Sequence, residues 1–381
     1  MYFGLSSQHT NLRQTVREFA EREIAPVAQQ LDEKHEFPLE IVKKLGQLGI
    51  MGLPYPPDLG GQGAGMLSLV IAIEELARVD SSIAITVAAN TCLGGFPLYY
   101  FGTEKQKQQW LVPLAQGTIL GSMGLTEPEA GSDAGNTATM ARLEGDEWVI
   151  NGNKNFITNS GTDISGFVTA TTVTGRNGDR KEISTIIVPK GTAGYTQAKP
   201  YMKMGWHASD THGLIFEECR VPAENLLGQR GNGFKQLLQV LDGGRVSVAA
   251  IGLGLAQGCL EMCLNFAKQT QFHGQPLSRQ QLVQNTLADM AIAVEMGRLI
   301  TYKAAALQDQ GEPFVVDASM AKLYTSETAV KVADQATLLF GQFGCLDDYP
   351  VSRFFRDAKI LTIGEGTSEV QRMVIARHLG C

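Results

Sequence analysis

Residues 124–133 read GLTEPEAGSD, a loop of small residues and hydroxyls at the point where the texture of the sequence changes. Glycine lets backbone amides approach a ligand closely, and the hydroxyls of Thr126 and Ser132 can donate and accept hydrogen bonds. Such a loop can hold a ring system or a phosphate without placing net charge there. From the residues alone, an ordinary turn between a helix and a strand is the simpler interpretation.

A second segment, GEGTSE at 364–369, places the carboxylate of Glu365 between two glycines. A general base needs a reachable, unpaired carboxylate whose pKa can rise when water is excluded. The flanking glycines remove side-chain bulk and leave the Glu365 amide free to donate a hydrogen bond. The alternative, which composition alone favours, is a solvated glutamate in an exposed loop.

Outward from these two segments, the first third of the chain has helical periodicity. One predicted helix is opened by Pro38, buries Ile41, Leu45 and Leu48 on one face, and is ended by Gly49. Other segments before about residue 120 show the same spacing of apolar residues. The sequence therefore predicts an N-terminal helical domain.

From about residue 121 to 221, short β-rich runs alternate with turn residues. Asn151 and Gly152 separate two such runs and predict a β-hairpin, because this pair accepts positive φ. Ile183–Val188 and Gly213–Phe216 are further predicted strands. A small β domain between two helical regions is the economical interpretation.

From Gly233 onward helical periodicity returns, and Val283, Leu287, Met290 and Val294 line one face of a long helix. Long apolar-faced helices usually pack into a bundle. The fold class predicted is mainly α with a central β domain. The predicted domains are an N-terminal helical domain (1–120), a central β domain (121–228) and a C-terminal helical bundle (229–381).

Composition excludes several classes of function. The chain has 381 residues, 44% of them hydrophobic and 19% charged, with a formal net charge of −7. No basic stripe is present to neutralise phosphates, so a nucleic-acid partner is not expected. The six cysteines form no CxxC pair and no zinc-like cluster, which predicts buried thiols in a reducing cytoplasm.

Membrane and metal sites are not expected either. The N-terminal MYFGLSSQHTNLRQ lacks the features of a secretory signal, and the apolar stretch 247–267 contains Gln257, Glu261 and Asn265, which favours a buried core helix. The histidines share no metal-like spacing. GLGLAQG at 252–258 misses the dinucleotide-binding spacing and lies in a helical pattern, so close helix packing through glycine is predicted.

Taken together, several segments resemble signature motifs of the acyl-CoA dehydrogenase family. They are GLTEPEAGSD (124–133), NGNKNFITNSG (151–161), VPAENLLGQRGNGF (221–234), LDGGR (241–245), RDAKI (356–360) and EGTSEVQRMVIARHL (365–379). They follow one another in order over essentially the whole chain, and the likeness is greatest to the short-chain, butyryl-CoA type. The resemblance implies a β-barrel-like middle domain, a C-terminal four-helix bundle, bound FAD and a homotetramer.

The resemblance also implies a reaction. Glu365 would remove the α-proton of a short acyl-CoA thioester while the β-hydride passes to flavin N5, and an electron-transfer flavoprotein would collect the electrons. The backbone amide of Glu365 and a flavin ribityl hydroxyl would polarise the thioester carbonyl. Some relatives place the base immediately before the arginine of LDGGR, but that residue here is Gly244.

Site residues follow from the same resemblance. The residues it places on the cofactor are Met123, Leu125, Thr126, Gly131, Ser132, Phe156, Ile157, Thr158, Gln281, Thr367, Ser368 and Glu369. Thr158 would hydrogen-bond flavin N5, and Gln281 would reach the FAD of a neighbouring subunit. The residues it places on the substrate are Ser132, Asp242, Arg245 and Gly366.

Five positions depart from the family pattern. Gly364 stands where a tyrosine or similarly bulky residue usually precedes the glutamate, and Thr270 stands where an arginine usually grips the FAD pyrophosphate across the dimer. His273, Leu338 and Gln342 replace a phenylalanine, a glutamine and a glycine. Two explanations stay open: drift compensated by other residues, or weakened or remodelled FAD binding.

Three functions are compatible with this sequence. The first is dehydrogenation of a short acyl-CoA. The second is the same chemistry on an acyl group tethered to a carrier protein in specialised biosynthesis. The third is a non-redox relative that binds acyl-thioesters without oxidising them.

Overall fold

The structure, a computed structural model, describes residues 5–381, apart from the side chain of Asn177. Helices come first, a β region follows, and helices complete the chain, which confirms the predicted fold class. The helices before the sheet are α1 (Ser7–Phe19), α2 (Ala28–Lys34), α3 (Leu39–Gln47), α4 (Gly65–Ala77), α5 (Ser81–Ala88), α6 (Phe96–Phe101), α7 (Glu104–Gln106) and α8 (Val112–Ala115).

Helix α3 shows how the sequence sets its ends. It begins directly after Pro38, and Gly49 follows it with a φ of +74°, a conformation that glycine adopts without strain. Ile41 and Leu45 are buried as predicted, whereas the prediction for Leu48 was wrong. Leu48 lies just beyond the last helical residue and is 46% exposed, because the helical face it was assigned to ends one residue earlier.

The β region forms one sheet. Its strands are β1 (Leu120–Gly124), β2 (Met140–Glu144), β3 (Glu147–Thr158), β4 (Ser165–Asn177), β5 (Arg180–Pro189), β6 (Tyr195–Gln197), β7 (Thr211–Pro222) and β8 (Leu226–Leu227). The strand order is β6-β7-β3-β2-β4-β5-β8, and β1 pairs in parallel with β4. β5 and β7 contain the two strands predicted at Ile183–Val188 and Gly213–Phe216.

The predicted hairpin at Asn151 and Gly152 was wrong, because β3 runs straight through this pair. A register shift between Ile150 and Gly152 marks a β-bulge. A Cβ on Gly152 would lie 2.6 Å from the hydroxyl of Thr139, so glycine is needed for close approach of the backbone. The actual hairpin turn contains Gly145, with a φ of +60°, between β2 and β3.

Long helices form the last part of the chain: α9 (Gly233–Gln269), α10 (Gln281–Asp309), α11 (Val315–Phe340), α12 (Pro350–Leu361) and α13 (Ser368–His378). A two-stranded ribbon of β9 (Gln271–Phe272) and β10 (Gln275–Pro276) connects α9 to α10. The glycines of α9 bring backbones together as predicted. A Cβ on Gly254 would lie 2.2 Å from the Glu74 carbonyl oxygen, and one on Gly258 would lie 2.3 Å from that of Arg78.

The buried hydrophobic residues form two clusters, and these clusters do not follow the helical, β, helical order of the chain. One cluster joins residues of the first helices, such as Val16 and Leu76, to residues of the last helices, such as Leu253 and Met290. A second, smaller cluster inside the sheet includes Phe216. The N-terminal and C-terminal helices therefore share one core.

Two helical stretches in the described part of the chain, Ser81–Phe101 and Gly233–Gln269, are long and apolar enough to cross a membrane. However, 94% and 83% of their most apolar windows are buried inside the protein, which is typical of core helices. The prediction that all cysteines are buried was wrong for Cys345 and Cys381, which are exposed. They lie in the short turn after α11 and just beyond α13, where no other element covers them.

Candidate active site

Glu365 lies in the short loop between α12 and α13. Its backbone has a φ of +57°, and the following Gly366 has a φ of +89°. Left-handed backbone is uncommon outside glycine and costs of order 1–3 kcal/mol, so the surrounding structure must hold it. The loop ends where the Thr367 hydroxyl accepts a hydrogen bond from the Val370 amide at 3.3 Å and caps α13.

Two buried side chains hold this loop from below. Lys322 of α11 donates from Nζ to the Gly366 carbonyl at 2.5 Å. Gln371 of α13 donates from Nε2 to the Glu365 carbonyl at 3.2 Å and to the Gly366 carbonyl at 3.1 Å. These contacts fix the direction in which the Glu365 side chain leaves the backbone.

The Glu365 carboxylate faces α9. A Cβ built on Gly244 would lie 2.9 Å from Oε2 of Glu365, so glycine at this position makes room for the carboxylate. Oε2 is buried and has no hydrogen-bond partner among the described residues. Burial raises the pKa of Glu365 to about 7, against the opposing charges of Arg245 and Lys322. The group is therefore an unpaired carboxylate that takes up and releases protons near neutrality.

Arg245 and Asp242 lie on the same stretch of α9. Arg245 is buried and donates from Nη1 to Oδ1 of Asp242 at 2.7 Å. Burial raises the pKa of Asp242, although Arg245 opposes the shift. Nε of Arg245 has no partner within the part of the chain that the structure describes. The structure thus brings Glu365, Gly366, Asp242 and Arg245 into one site.

The neighbouring glycine of α9, Gly243, faces residues that the sequence reasoning missed. A Cβ on Gly243 would lie 2.9 Å from the Phe96 ring and 3.1 Å from Nε2 of Gln308. Burial raises the pKa of Cys92 to about 12, and Glu365 adds to the shift. This wall carries no motif, and only its apolar sequence could have indicated that it is buried.

The GLTEPEAGSD loop begins on β1 and is tied to β3. Met123 lies on β1, and the Thr126 carbonyl accepts a hydrogen bond from the Asn155 amide at 2.8 Å. Leu125 and Thr126 are half-buried, whereas Gly131 and Ser132 are exposed. The loop is therefore anchored at its start and open at its end.

The second half of β3 lies beside this anchor. Phe156 is 63% exposed, has a φ of +59° and stacks on Tyr201 with ring centroids 4.8 Å apart. Thr158 is half-buried at the end of the strand. The side chain of Ile157 packs into the core of the sheet, so it is not available at this surface.

A cavity of roughly 340 Å³ lies between α11, α12 and α13. Thr367, Ser368 and Glu369 line it together with Lys359. Oγ of Ser368 is buried and has no partner among the residues described. Gln281 is exposed at the first turn of α10, and within the described part of the chain no hydrogen bond joins it to Thr367, Ser368 or Glu369.

The positions that depart from the family pattern lie at one end of the bundle, except for Gly364. Thr270 follows the last residue of α9, and the stacking of Phe266 on Phe340, at 4.2 Å, brings the ends of α9 and α11 together. Leu338 is 74% exposed, and His273 and Gln342 are exposed as well. At Gly364 a Cβ would meet only the Ile360 carbonyl, at 3.7 Å, so the expected open space is present.

Comparisons with known proteins match this arrangement along the whole chain. Residues 6–118, 122–219 and 231–380 match the N-terminal, middle and C-terminal domains of acyl-CoA dehydrogenases. A probable acyl-CoA dehydrogenase of Bacillus subtilis is 49% identical over 380 residues, which is 100% of both chains. The short-chain specific acyl-CoA dehydrogenase of Clostridium acetobutylicum is 45% identical over 99% of both chains.

Solved structures agree. Butyryl-CoA dehydrogenase of Megasphaera elsdenii superimposes with a TM-score of 0.97 at 40% identity, over 100% of both chains. A chain from a study of the electron transferring flavoprotein of Acidaminococcus fermentans also gives a TM-score of 0.97, at 41% identity, and covers 100% of this chain and 99% of that one. The chain therefore belongs to the acyl-CoA dehydrogenase family and is an FAD-dependent oxidoreductase.

Proposed function

We propose that this enzyme dehydrogenates short-chain acyl-CoA thioesters, that Glu365 removes the α-proton, and that an electron-transfer flavoprotein accepts the electrons. The observation that carries the proposal is the half-buried Glu365, whose Oε2 is buried without a hydrogen-bond partner among the described residues and whose pKa is raised by burial to about 7. Relatives named for short-chain substrates support the substrate class. The Acidaminococcus likeness supports the choice of electron acceptor.

The residues at hand fit FAD. The half-buried Leu125, Thr126 and Thr158 and the exposed Phe156 offer a surface of mixed polarity at the β1–β3 edge, suited to a flavin ring. The buried, unpartnered Oγ of Ser368 offers a hydroxyl beside the cavity at the N-terminus of α13. In this proposal Met123, Gly131, Ser132, Thr367 and Glu369 complete the cofactor contacts, and Gln281 reaches the cofactor of another subunit.

Bound FAD would accept the hydride that leaves the β-carbon of the substrate. The chain's own residues then have two tasks. The Glu365 carboxylate removes the α-proton, for which a pKa near the working pH is best suited. Its backbone amide, together with the buried positive charge of Arg245, stabilises the negative charge that develops on the thioester oxygen. Asp242, Ser132 and Gly366 position the rest of the substrate.

The test is anaerobic bleaching of the bound flavin by butyryl-CoA. The wild-type enzyme should bleach, and Glu365→Gln should keep its flavin but bleach at least about a thousandfold more slowly, because the amide cannot take up a proton. A series of longer acyl-CoAs defines chain length. If only a butyryl group tethered to a carrier protein bleached the flavin, the proposed CoA substrate would be wrong. If Glu365→Gln bleached as fast as wild type, Glu365 would not be the base.

The effect of Thr270 on FAD is tested by flavin content. We expect Thr270→Arg to bind FAD at least about tenfold more tightly, because an arginine–phosphate contact contributes about 1.5–3 kcal/mol. Wild type and Thr270→Arg are compared for flavin per protomer during dilution, with Thr270→Gln as a neutral control. Full, equal occupancy in all three would show that other residues already compensate.

Assembly and location are also proposed rather than observed. Leu282, Ile292 and Met296 are large, exposed apolar residues on α10, which supports a subunit interface on this helix and the homotetramer expected from the sequence. Size-exclusion chromatography with light scattering measures the number of subunits and tests this prediction. A cytoplasmic location stays a prediction.

A further inference from the structure

Lys322 is a buried lysine that the proposed reaction does not use directly. Its side chain on α11 is 0% exposed. The residues one turn away on the same face of α11 are small and buried, including Ala318, Ser319, Thr325 and Ser326. Among the described residues no carboxylate forms a salt bridge with its Nζ, and its hydrogen bond goes to the Gly366 carbonyl.

This placement is costly for a lysine, since a buried ammonium is normally paired with a carboxylate. A methionine of similar length would fill the same space without a charge. Burial lowers the pKa of Lys322 to about 8, with Glu365 as the largest favourable charge opposing this shift. At neutral pH the side chain is therefore still a cation.

The hydrogen bond of Lys322 acts on the backbone that carries the base. The Gly366 carbonyl accepts hydrogen bonds from Nζ of Lys322 at 2.5 Å and from Nε2 of Gln371 at 3.1 Å. Glu365 next to it has the left-handed φ of +57°. The two donors together hold a conformation that the loop would not keep alone, and this conformation directs the carboxylate towards Gly244.

The charges around Glu365 can be compared element by element. From α9, Arg245 faces the carboxylate, but its charge is shared with Asp242 at 2.7 Å. From α11, Lys322 faces it without a carboxylate of its own in contact. Cys92 faces it from the helical turn after α5 and is neutral, and the more distant Glu327 and Glu369 act on Lys322. Arg245 opposes the raised pKa of Glu365 most and Lys322 next, and of these two cations only Arg245 has a salt bridge to a carboxylate among the described residues.

We propose that Lys322 is a positioning residue of the reaction: it holds the Gly366 carbonyl in place, and its charge, which no carboxylate among the described residues contacts directly, keeps a working fraction of Glu365 ionised at neutral pH. This inference rests on the proposed role of Glu365 as the base. It predicts that the hydrogen bond and the charge make separable contributions, since Gln371 supplies the first without the second.

The test uses the FAD-loaded enzyme and four variants: Lys322→Met, Lys322→Gln, Lys322→Arg and Gln371→Leu. The measurements are kcat and KM for butyryl-CoA from pH 5.5 to 9, the flavin absorbance and the thermal midpoint. Lys322→Met and Lys322→Gln should move the acid limb of kcat/KM upward by about one pH unit, as expected for loss of a nearby opposite charge. At pH 7 this shift lowers the ionised fraction of Glu365 from about one half to about one tenth, so kcat should fall about fivefold, with KM little changed.

The other two variants separate the contributions. Lys322→Arg keeps the charge and should restore the wild-type acid limb. Gln371→Leu loosens the loop and should lower kcat without moving the acid limb. Lys322→Gln retains a donor for Gly366, so it reports the effect of charge even if Lys322→Met loses its flavin.

An acid limb that is the same in wild type, Lys322→Met and Lys322→Gln would overturn the inference and leave Lys322 a purely structural residue. That failure differs from failure of the proposed function, in which the wild type would not be bleached by substrate or Glu365→Gln would still be active. Loss of thermal stability in Lys322→Met with an unshifted acid limb would also count against the inference.

Discussion

Glu127 and Glu365 are both glutamates whose carboxylates are withdrawn from solvent, yet their surroundings differ completely. Glu365 has a buried Oε2 without a partner, and its pKa is raised to about 7. Glu127 forms an ion pair with Lys154, with Oε1 and Nζ 2.6 Å apart, and both side chains are at most 5% exposed. The difference is one of partners rather than of residue type.

The Glu127 site is saturated with donors. The amides of Ala138 and Thr139 donate to its carboxylate at 2.6 and 3.1 Å, and the Thr137 hydroxyl donates as well. Burial alone would raise the pKa of Glu127, but the charge and hydrogen bonds of these partners, Lys154 above all, lower it to about 2. Lys154 also reaches the Leu125 carbonyl at 3.3 Å.

The comparison shows how one side chain serves two purposes in one molecule. Glu127 stays ionised over the whole working range of pH and fastens the start of the GLTEPEAGSD loop to β3. Glu365 changes its protonation state near neutrality, because the same desolvation is not compensated by hydrogen bonds. A buried carboxylate without hydrogen-bond donors is less stabilised in its ionised form than one with donors, and it is available to accept a proton as a base.

Breaking the paired site should have the largest effect. Lys154→Met leaves the Glu127 carboxylate buried without its cation, and we expect a loss of about 3–5 kcal/mol in the free energy of unfolding. The measurement is denaturant-induced unfolding of the FAD-loaded protein, with FAD retention followed in parallel. The double variant Glu127→Gln/Lys154→Met should be less damaged than Lys154→Met alone, and equal losses would mean that the unpaired charge is not the cause.

Replacing each glutamate by glutamine should change the free energy of unfolding in opposite directions at the two sites. The folded-state pKa of Glu365 lies above its usual value of 4.5. Between pH 4.5 and 7 the carboxyl group therefore ionises more readily in the unfolded chain than in the folded one, and the free energy of unfolding of the wild type falls as the pH rises. Glu365→Gln avoids that cost and should be more stable than wild type by roughly 1–3 kcal/mol at pH 8, with little difference at pH 4.5.

Glu127→Gln is the matched control for that experiment. The folded-state pKa of Glu127 is depressed, so its stabilising contribution is fully present above pH 4.5 and is lost as the pH falls towards 2. This variant should therefore be destabilised at pH 8. Thermal midpoints at pH 5 and 8 decide the matter, and a Glu365→Gln variant that is less stable than wild type at pH 8 would contradict the unpaired state of Glu365.

A smaller effect is expected from crowding the unpaired carboxylate. Gly244→Ala places a methyl group 2.9 Å from Oε2 of Glu365, and the carboxylate must move to accommodate it. We expect kcat to fall about tenfold through misplacement of the base, while alanine within α9 leaves the helix at least as stable. Gly364→Ala is the control, since its nearest contact would be 3.7 Å away, and kcat should stay within about twofold.

Much of the fold was predictable because its signals are local. Apolar residues at helical spacing marked the long helices, and Pro38 and Gly49 marked the ends of α3. The error at Asn151 and Gly152 has a non-local cause: the same pair suits a turn or a bulge, and the close approach of Thr139 decides between them.

The site was predictable only in part. Glu365 could be proposed because its flanking glycines and the family resemblance both point to it. Lys322 and Gln371 were missed, since their role depends on α11 and α13 packing beneath one loop. The available signal was a lysine in α11 whose neighbours one turn away, Ala318, Ser319, Thr325 and Ser326, are all small or hydroxylic.

The single core shared by the first and last helices has a consequence for synthesis. Val16 and Leu76 pack in the same cluster as Leu253 and Met290, and α9 begins at Gly233, roughly 120 residues after α8 ends at Ala115. At about 5–20 residues per second, the ribosome needs roughly 6 to 24 s to make that interval. Until α9 emerges, the apolar faces of the early helices that pack on it stay uncovered, so we expect a chain truncated before Gly233 to aggregate.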